Sequence, residues 1–220
     1  MMLKQLYKKD YPLYTMKDKY KLYGIETIGY LDIETSGLTA DFDIMLSWAN
    51  CIRNVKTGKH NIEFDYVEKK DFDYAYKNKD ADLVDKRITE TVIDSIKQCD
   101  LLIGHWFIGK HRHDIPFIRS RCVINHVPGF PKHRRIRYGD TQKYGSLLYR
   151  LHNNGLNSIA RMFDLNVTKT PIDGKTWKNA CIGVKEDIKY VVDHNIKDVK
   201  ITMQVHQGME EYVPIPATYA

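Results

Sequence analysis

Apolar and polar positions fall in blocks along this chain, and their period changes from block to block. The run IETIGYLDIETSGL has an apolar centre ending at Ser-Gly, which predicts a strand that stops in a turn. IMLSWANCIRNV and HNIEFDYV read as two further strands joined across the turn signal KTGK, so the first three strands predict an antiparallel meander. In ITETVIDSIKQC the period lengthens: Ile88, Val92, Ile93 and Ile96 recur at helical spacing. DLLIGHW reads as a short buried strand, DIPFIRSRC opens a second helix, and RRIRYGD forms another strand after the loop VPGFPKH. SLLYRL and GLNSIARMF are short helical segments. A long amphipathic helix is predicted from about Lys185 to Glu210, with Ile188, Val191, Val192, Ile196, Val199 and Met203 on its apolar stripe.

Two stretches lack such a period. Residues 1–24 are rich in Lys and Tyr and read as an extended N-terminal arm. DFDYAYKNKDADLVDK mixes acidic and basic residues and reads as loop. The expected organisation is an arm (1–24), one α/β domain (25–210) and a C-terminal tail (211–220). The element order predicts a mixed sheet, three antiparallel strands and then parallel ones, flanked by helices.

Composition changes this picture little. At 220 residues with 43% hydrophobic and 28% charged residues, the chain suits one domain with a full core. No apolar run is long enough to cross a bilayer, and the first residues lack the apolar core of a signal peptide, which points to a cytosolic protein. The four cysteines, at 51, 99, 122 and 181, form no CxxC pair and predict buried thiols, not a disulfide framework. A net charge of +6 and a pI near 8.9 are compatible with a polyanionic partner without requiring one.

Candidate chemistry lies in the acidic residues. Asp32 and Glu34 stand two apart in an apolar strand, so their carboxylates project from one face. They fit either a strand end reaching water or a site where a hard cation such as Mg²⁺ or Mn²⁺ offsets their repulsion. Asp114 precedes Ile115 and Pro116, an arrangement that also suits a helix N-cap. His194 and Asp198 are four apart on one helical face.

Taken together, these pieces resemble a known family. LDIETSGL resembles the first motif (DxE) of the DEDD superfamily of 3′–5′ exonucleases, which includes the proofreading domains of family B DNA polymerases. GKHRHDIPFIRSR resembles the second motif and YVVDHNIKDV the third. DFDIMLSWA, LYRLHNNGLNSIARMF and KTPIDGKTW are similar to segments of the exonuclease-like group with an RNase H-like domain found in bacteria, archaea and their viruses. The resemblance spans about residues 25–205.

It implies an RNase H-like five-stranded sheet and a two-metal phosphodiester hydrolase. Asp32, Glu34, Asp114 and Asp198 would bind two Mg²⁺ or Mn²⁺ ions, and His194 would assist the attacking water. The chain departs from the motifs in two places. Gly109 and His113 stand where the second motif usually has Asn and Phe, and His194 takes the spacing of the tyrosine type, with Tyr190 and Asp193 as nearby rivals.

Around the acidic set, Lys110, Arg112 and Arg119 flank Asp114, and Arg134 and Arg135 lie in PKHRRIRYGD; all five are candidates for phosphate contact, or else solvated charges. Trp106 and Phe107 read as core residues or as platforms for a terminal base. His105, His111, His113, Cys122, His126 and His133 show no standard zinc spacing. Asp140 reads as a helix cap, and Asp41 and Asp43 as loop residues. The expected function is 3′–5′ exonuclease action on a nucleic-acid strand, DNA or RNA. The alternatives are a structure-specific endonuclease and a catalytically silent nucleic-acid-binding module.

Overall fold

A computed structural model describes residues 15–107, 113–132, 135–165 and 171–216. Its centre is a five-stranded sheet in the order β3-β2-β1-β4-β5. The strands are β1 (Thr27–Thr35), β2 (Met45–Asn54), β3 (His60–Tyr66), β4 (Leu101–Gly104) and β5 (Arg137–Asp140). β1, β2 and β3 form the expected antiparallel meander; β4 and β5 add in parallel beside β1. The fold is therefore the α/β mixed sheet that the hydrophobic pattern predicts.

The helices are α1 (Met16–Leu22), α2 (Lys69–Asn78), α3 (Lys86–Ile96), α4 (Asp114–Ile124), α5 (Thr141–Leu148), α6 (Leu156–Met162), α7 (Gly174–Cys181) and α8 (Lys185–Met209). β1 explains how they divide between the faces. Alternate residues of a strand point to opposite sides. Leu31 and Ile33 join one buried cluster with Ile88, Val92, Ile118 and Cys122 of α3 and α4. Ile28 and Tyr30 join another with Val199 and Met203 of α8. Asp32 continues the Ile28–Tyr30 series, and so the acidic pair belongs to the face that α8 covers.

Two expectations need correction. The stretch read as loop at 71–86 contains most of α2 and a short 3-10 helix, Ala81–Asp85. The stretch read as an extended arm contains α1, capped by Thr15 and anchored by buried Tyr20. Beyond α8, Val213 is also buried, and Arg137 donates to the Pro216 carbonyl at 3.0 Å. The packed unit thus extends past 25–210 at both ends; residues 1–14 and 217–220 lie outside the described residues. Among the described residues no helix is long and apolar enough to cross a membrane.

A candidate acidic active site

Three elements bring the acidic residues together. β1 supplies Asp32 and Glu34, the first turn of α4 supplies Asp114, and the middle of α8 supplies His194 and Asp198. The β1–β2 register shifts between Glu34 and Thr35, a bulge that re-aims the strand end at the acidic pair.

The electrostatics show that these carboxyls share one neighbourhood. Burial holds Asp32 well above the usual carboxylate range, and the charges of Asp114, Glu34 and Asp198 push it further. Asp114 is raised to about 8, first by burial and then by the charge of Asp140. Asp114 is the first residue of α4, whose cap position is His113, so the capping role open in the sequence is not the one it takes. Its Oδ2 is buried without a hydrogen bond. Buried polar atoms are seldom left unsatisfied, and this carboxyl lies near the like charges of Asp140 and Asp32.

His194 sits among the same groups. Its Nε2 lies 3.8 Å from Glu34 Oε1 and 3.6 Å from Asp198 Oδ2. The rival Tyr190 donates its hydroxyl to the Pro171 carbonyl at 3.0 Å, and Asp193 is exposed. Asn195, which the sequence reading passed over, is fully buried and donates from Nδ2 to Asp32 Oδ2 at 2.7 Å. His113, one of the motif departures, also has a defined place. It packs on Phe117 with ring centroids 5.2 Å apart and contacts Thr35 Oγ1 at 3.3 Å, tying the end of β1 to the start of α4.

The donor chemistry suits a hard divalent cation: four carboxylate groups, with an unsatisfied oxygen on one of them. Among the described residues, however, no three His, Cys, Asp or Glu side chains are grouped so that they could hold a metal ion as they stand. The site therefore offers the right donors without a closed cage.

The surrounding residues sort as follows. Arg119 is exposed on α4, with its guanidinium carbon 5.0 Å from the centroid of the Phe130 ring, and Arg135 is exposed just before β5. Lys110, Arg112, Arg134 and Gly109 lie outside the described residues, as do His111 and His133. Asp140 caps α5 by accepting from Gln142 N at 2.9 Å, as its sequence position predicts. Asp43 braces the loop after β1, accepting from Ser36 Oγ and Thr39 N. The four cysteines are free, and burial pushes the Cys122 thiol up to about 12, which disfavours the thiolate a zinc ion needs. A cleft of about 690 Å³ lies against α2 and the 3-10 helix, lined by Phe72, Tyr76, Lys79 and Val84, and holds none of the acidic set.

No protein-family model matches this chain, and no curated protein matches it. The sheet topology and the acidic cluster carry the functional argument.

Proposed function

We propose that the chain is a metal-dependent nuclease that removes nucleotides from the 3′ end of a nucleic-acid strand. The observation that carries this reading is that β1, α4 and α8 gather four carboxyls: His194 Nε2 lies 3.8 Å from Glu34 Oε1 and 3.6 Å from Asp198 Oδ2, Asn195 bonds Asp32, and the charges of Asp114, Glu34 and Asp198 raise Asp32. Like charges held together under burial are costly, and a divalent cation is the ordinary way to offset them. The sheet order and the three motif positions agree with this reading without identifying it.

Asp32, Glu34, Asp114 and Asp198 are the residues that would hold the metal. When bound, such ions lower the pKa of water and neutralise phosphate charge. The chain itself contributes three further actions. Asn195 Nδ2 fixes one oxygen of Asp32. His194 Nε2, beside Glu34 and Asp198, is positioned to accept a proton from the attacking water. Arg119, exposed on the same helix as Asp114, would be a contact for a backbone phosphate.

A second reading, a nucleic-acid-binding module without catalysis, is favoured by the lack of a closed metal cage among the described residues. One experiment separates the two. Linear and circular single strands and duplexes, of DNA and of RNA, are incubated with Mg²⁺, Mn²⁺ or chelator. A 3′–5′ exonuclease shortens linear strands stepwise from the 3′ end, spares circles, and loses this activity with chelator and in Asp32→Asn. Cleaved circles would establish an endonuclease. Binding with no cleavage under any metal would establish the silent module.

A further inference from the structure

The sequence left Trp106 and Phe107 as a pair with one of two roles; the structure separates them. Phe107 is fully buried, whereas Trp106 keeps 43% of its surface exposed. They follow β4 through a sharp reversal. A Cβ on Gly104 would lie 2.2 Å from the Phe107 ring, so only glycine lets that ring fold back over the strand end.

Trp106 has φ of 60°, a left-handed conformation that a bulky residue rarely adopts. Among the described residues, three other non-glycine residues share that sign: Lys79, His126 and Asp164. Each follows the end of a helix, α2, α4 or α6, where a left-handed residue commonly ends the helix. Trp106 follows a strand, and its conformation is held from outside. The Asp140 carboxylate accepts from Trp106 N at 3.2 Å and from Phe107 N at 2.7 Å. Backbone strain maintained by neighbouring groups is a marker of function.

The turn also lies at the acidic cluster. β4 runs parallel to β1, with Ile103 level with Tyr30, so β4 ends at Gly104 beside the Leu31–Asp32 stretch while β1 runs on to Thr35. Asp140, which grips the Trp106 backbone, ends β5 level with Gly104. A large aromatic face is thus held on a constrained turn at the rim of a carboxylate site, in a chain with a net charge of +6.

We infer that Trp106 is a stacking platform for a nucleobase near the 3′ end of a single strand. The inference rests on the nucleic-acid reading above and adds what that reading does not give: the end of the strand is recognised through the π face of a base. Base–aromatic stacking tolerates any base, which suits an enzyme that must accept each new terminus in turn.

The test uses the full chain in chelator, so that strands stay intact. Dye-labelled oligothymidylate and oligouridylate are titrated, along with an oligothymidylate lacking the base of its 3′ nucleotide. Trp48 is buried and Trp177 is partly buried, so quenching of the exposed Trp106 reports contact. The expected result is quenching on binding and about a tenfold affinity loss in Trp106→Ala for base-bearing strands, with Trp106→Phe near wild type. Trp106→Gly should lose the same affinity with no fall in Tm, because glycine accepts the left-handed turn. The strand lacking the base should bind wild type and Trp106→Ala equally. If wild type binds strands and Trp106→Ala binds them as tightly, the platform is overturned while the nuclease reading survives. If wild type binds no strand at all, the platform is overturned, and the cleavage assay with Mg²⁺ or Mn²⁺ decides the nuclease reading separately.

Discussion

Asn195 and Asp32 lie 163 positions apart in the chain, yet the Asn195 amide donates to Asp32 Oδ2 at 2.7 Å within the acidic cluster. This hydrogen bond fixes the orientation of one carboxylate oxygen and leaves the other oxygen for different work. Partners that orient a ligand contribute about 10- to 100-fold to metal affinity when they act this way. Asn195→Ala and the near-isosteric Asn195→Leu should therefore each weaken Mn²⁺ binding by roughly that factor. The measurement is Mn²⁺ titration followed by electron paramagnetic resonance, with circular dichroism to confirm the fold. Equal affinity in wild type and both variants would remove Asn195 from the site. A wild type that takes up no Mn²⁺ would instead count against the metal reading itself.

Asp114 makes a prediction about the metal-free protein. Its carboxyl is raised to about 8 in the folded chain, against an ordinary value near 4. The folded state therefore holds its proton more tightly than the unfolded state does. Stability from this group is complete below about pH 4 and declines as pH rises toward 8. Asp114→Asn removes the charge and so removes the decline. In chelator, its Tm should exceed that of wild type at pH 8, and the advantage should vanish at pH 4. A variant less stable than wild type at pH 8 would show that the carboxylate is stabilised by something other than its proton.

How much of this was legible in advance depended on whether a residue's role was local. β1, β2, β4, α3, α4 and α8 bury apolar residues whose spacing announced them, whereas β3 has no fully buried residue and was announced by the KTGK turn before it. α2 did not, because the buried positions on it are Asp71 and Ala75. Its inward side is a carboxylate that pairs with Arg87, with Oδ2 2.8 Å from Nη2, so a polar sequence concealed a packed helix. In the site, the acidic residues carried a recognisable spacing. Asn195 carried none, since a neutral amide has no periodicity and its partner lies on a distant strand. The left-handed turn at Trp106 was equally hidden: the sequence shows an aromatic pair, and only the backbone shows which member turns outward.

His206 should set the acid limit of stability. It is buried on α8, with Nδ1 3.0 Å from the Tyr30 hydroxyl, and burial lowers it to about 3. The unfolded chain binds a proton near pH 6.5, while the folded chain resists protonation down to about pH 3. Stability from this group is therefore present above about pH 6.5 and is lost as pH falls through that window. The slope approaches about 1.4 kcal/mol per pH unit for a single group. Urea unfolding at pH 7 and pH 5 should show a smaller loss on acidification in His206→Gln than in wild type. Identical losses would assign the acid sensitivity elsewhere.

Arg121 is the residue whose loss should damage the site from a distance. It is completely buried on α4 and meets Asp85 through two bonds of 2.8 Å, from Nε and Nη2. Asp85 also accepts from Asn125 Nδ2 and Met45 N, and Arg121 donates to the Ala40 carbonyl in the loop after β1. One ion pair thus fastens α4 to the 3-10 helix, to β2 and to the loop that follows the Asp32–Glu34 strand. Removing one member of such a pair leaves the other charge buried and unpaired, at a cost of about 3–5 kcal/mol. Arg121→Met should lower stability by about that amount. Asp85→Leu combined with Arg121→Met should recover much of the loss, because both charges are then gone. Since Asp114 opens the same helix, the single variant should also weaken Mn²⁺ binding, although Arg121 itself touches none of the four carboxylates' oxygens in any hydrogen bond found among the described residues. If the double variant regains stability but not metal affinity, the pair is needed to align the helix and not only to hold the fold together.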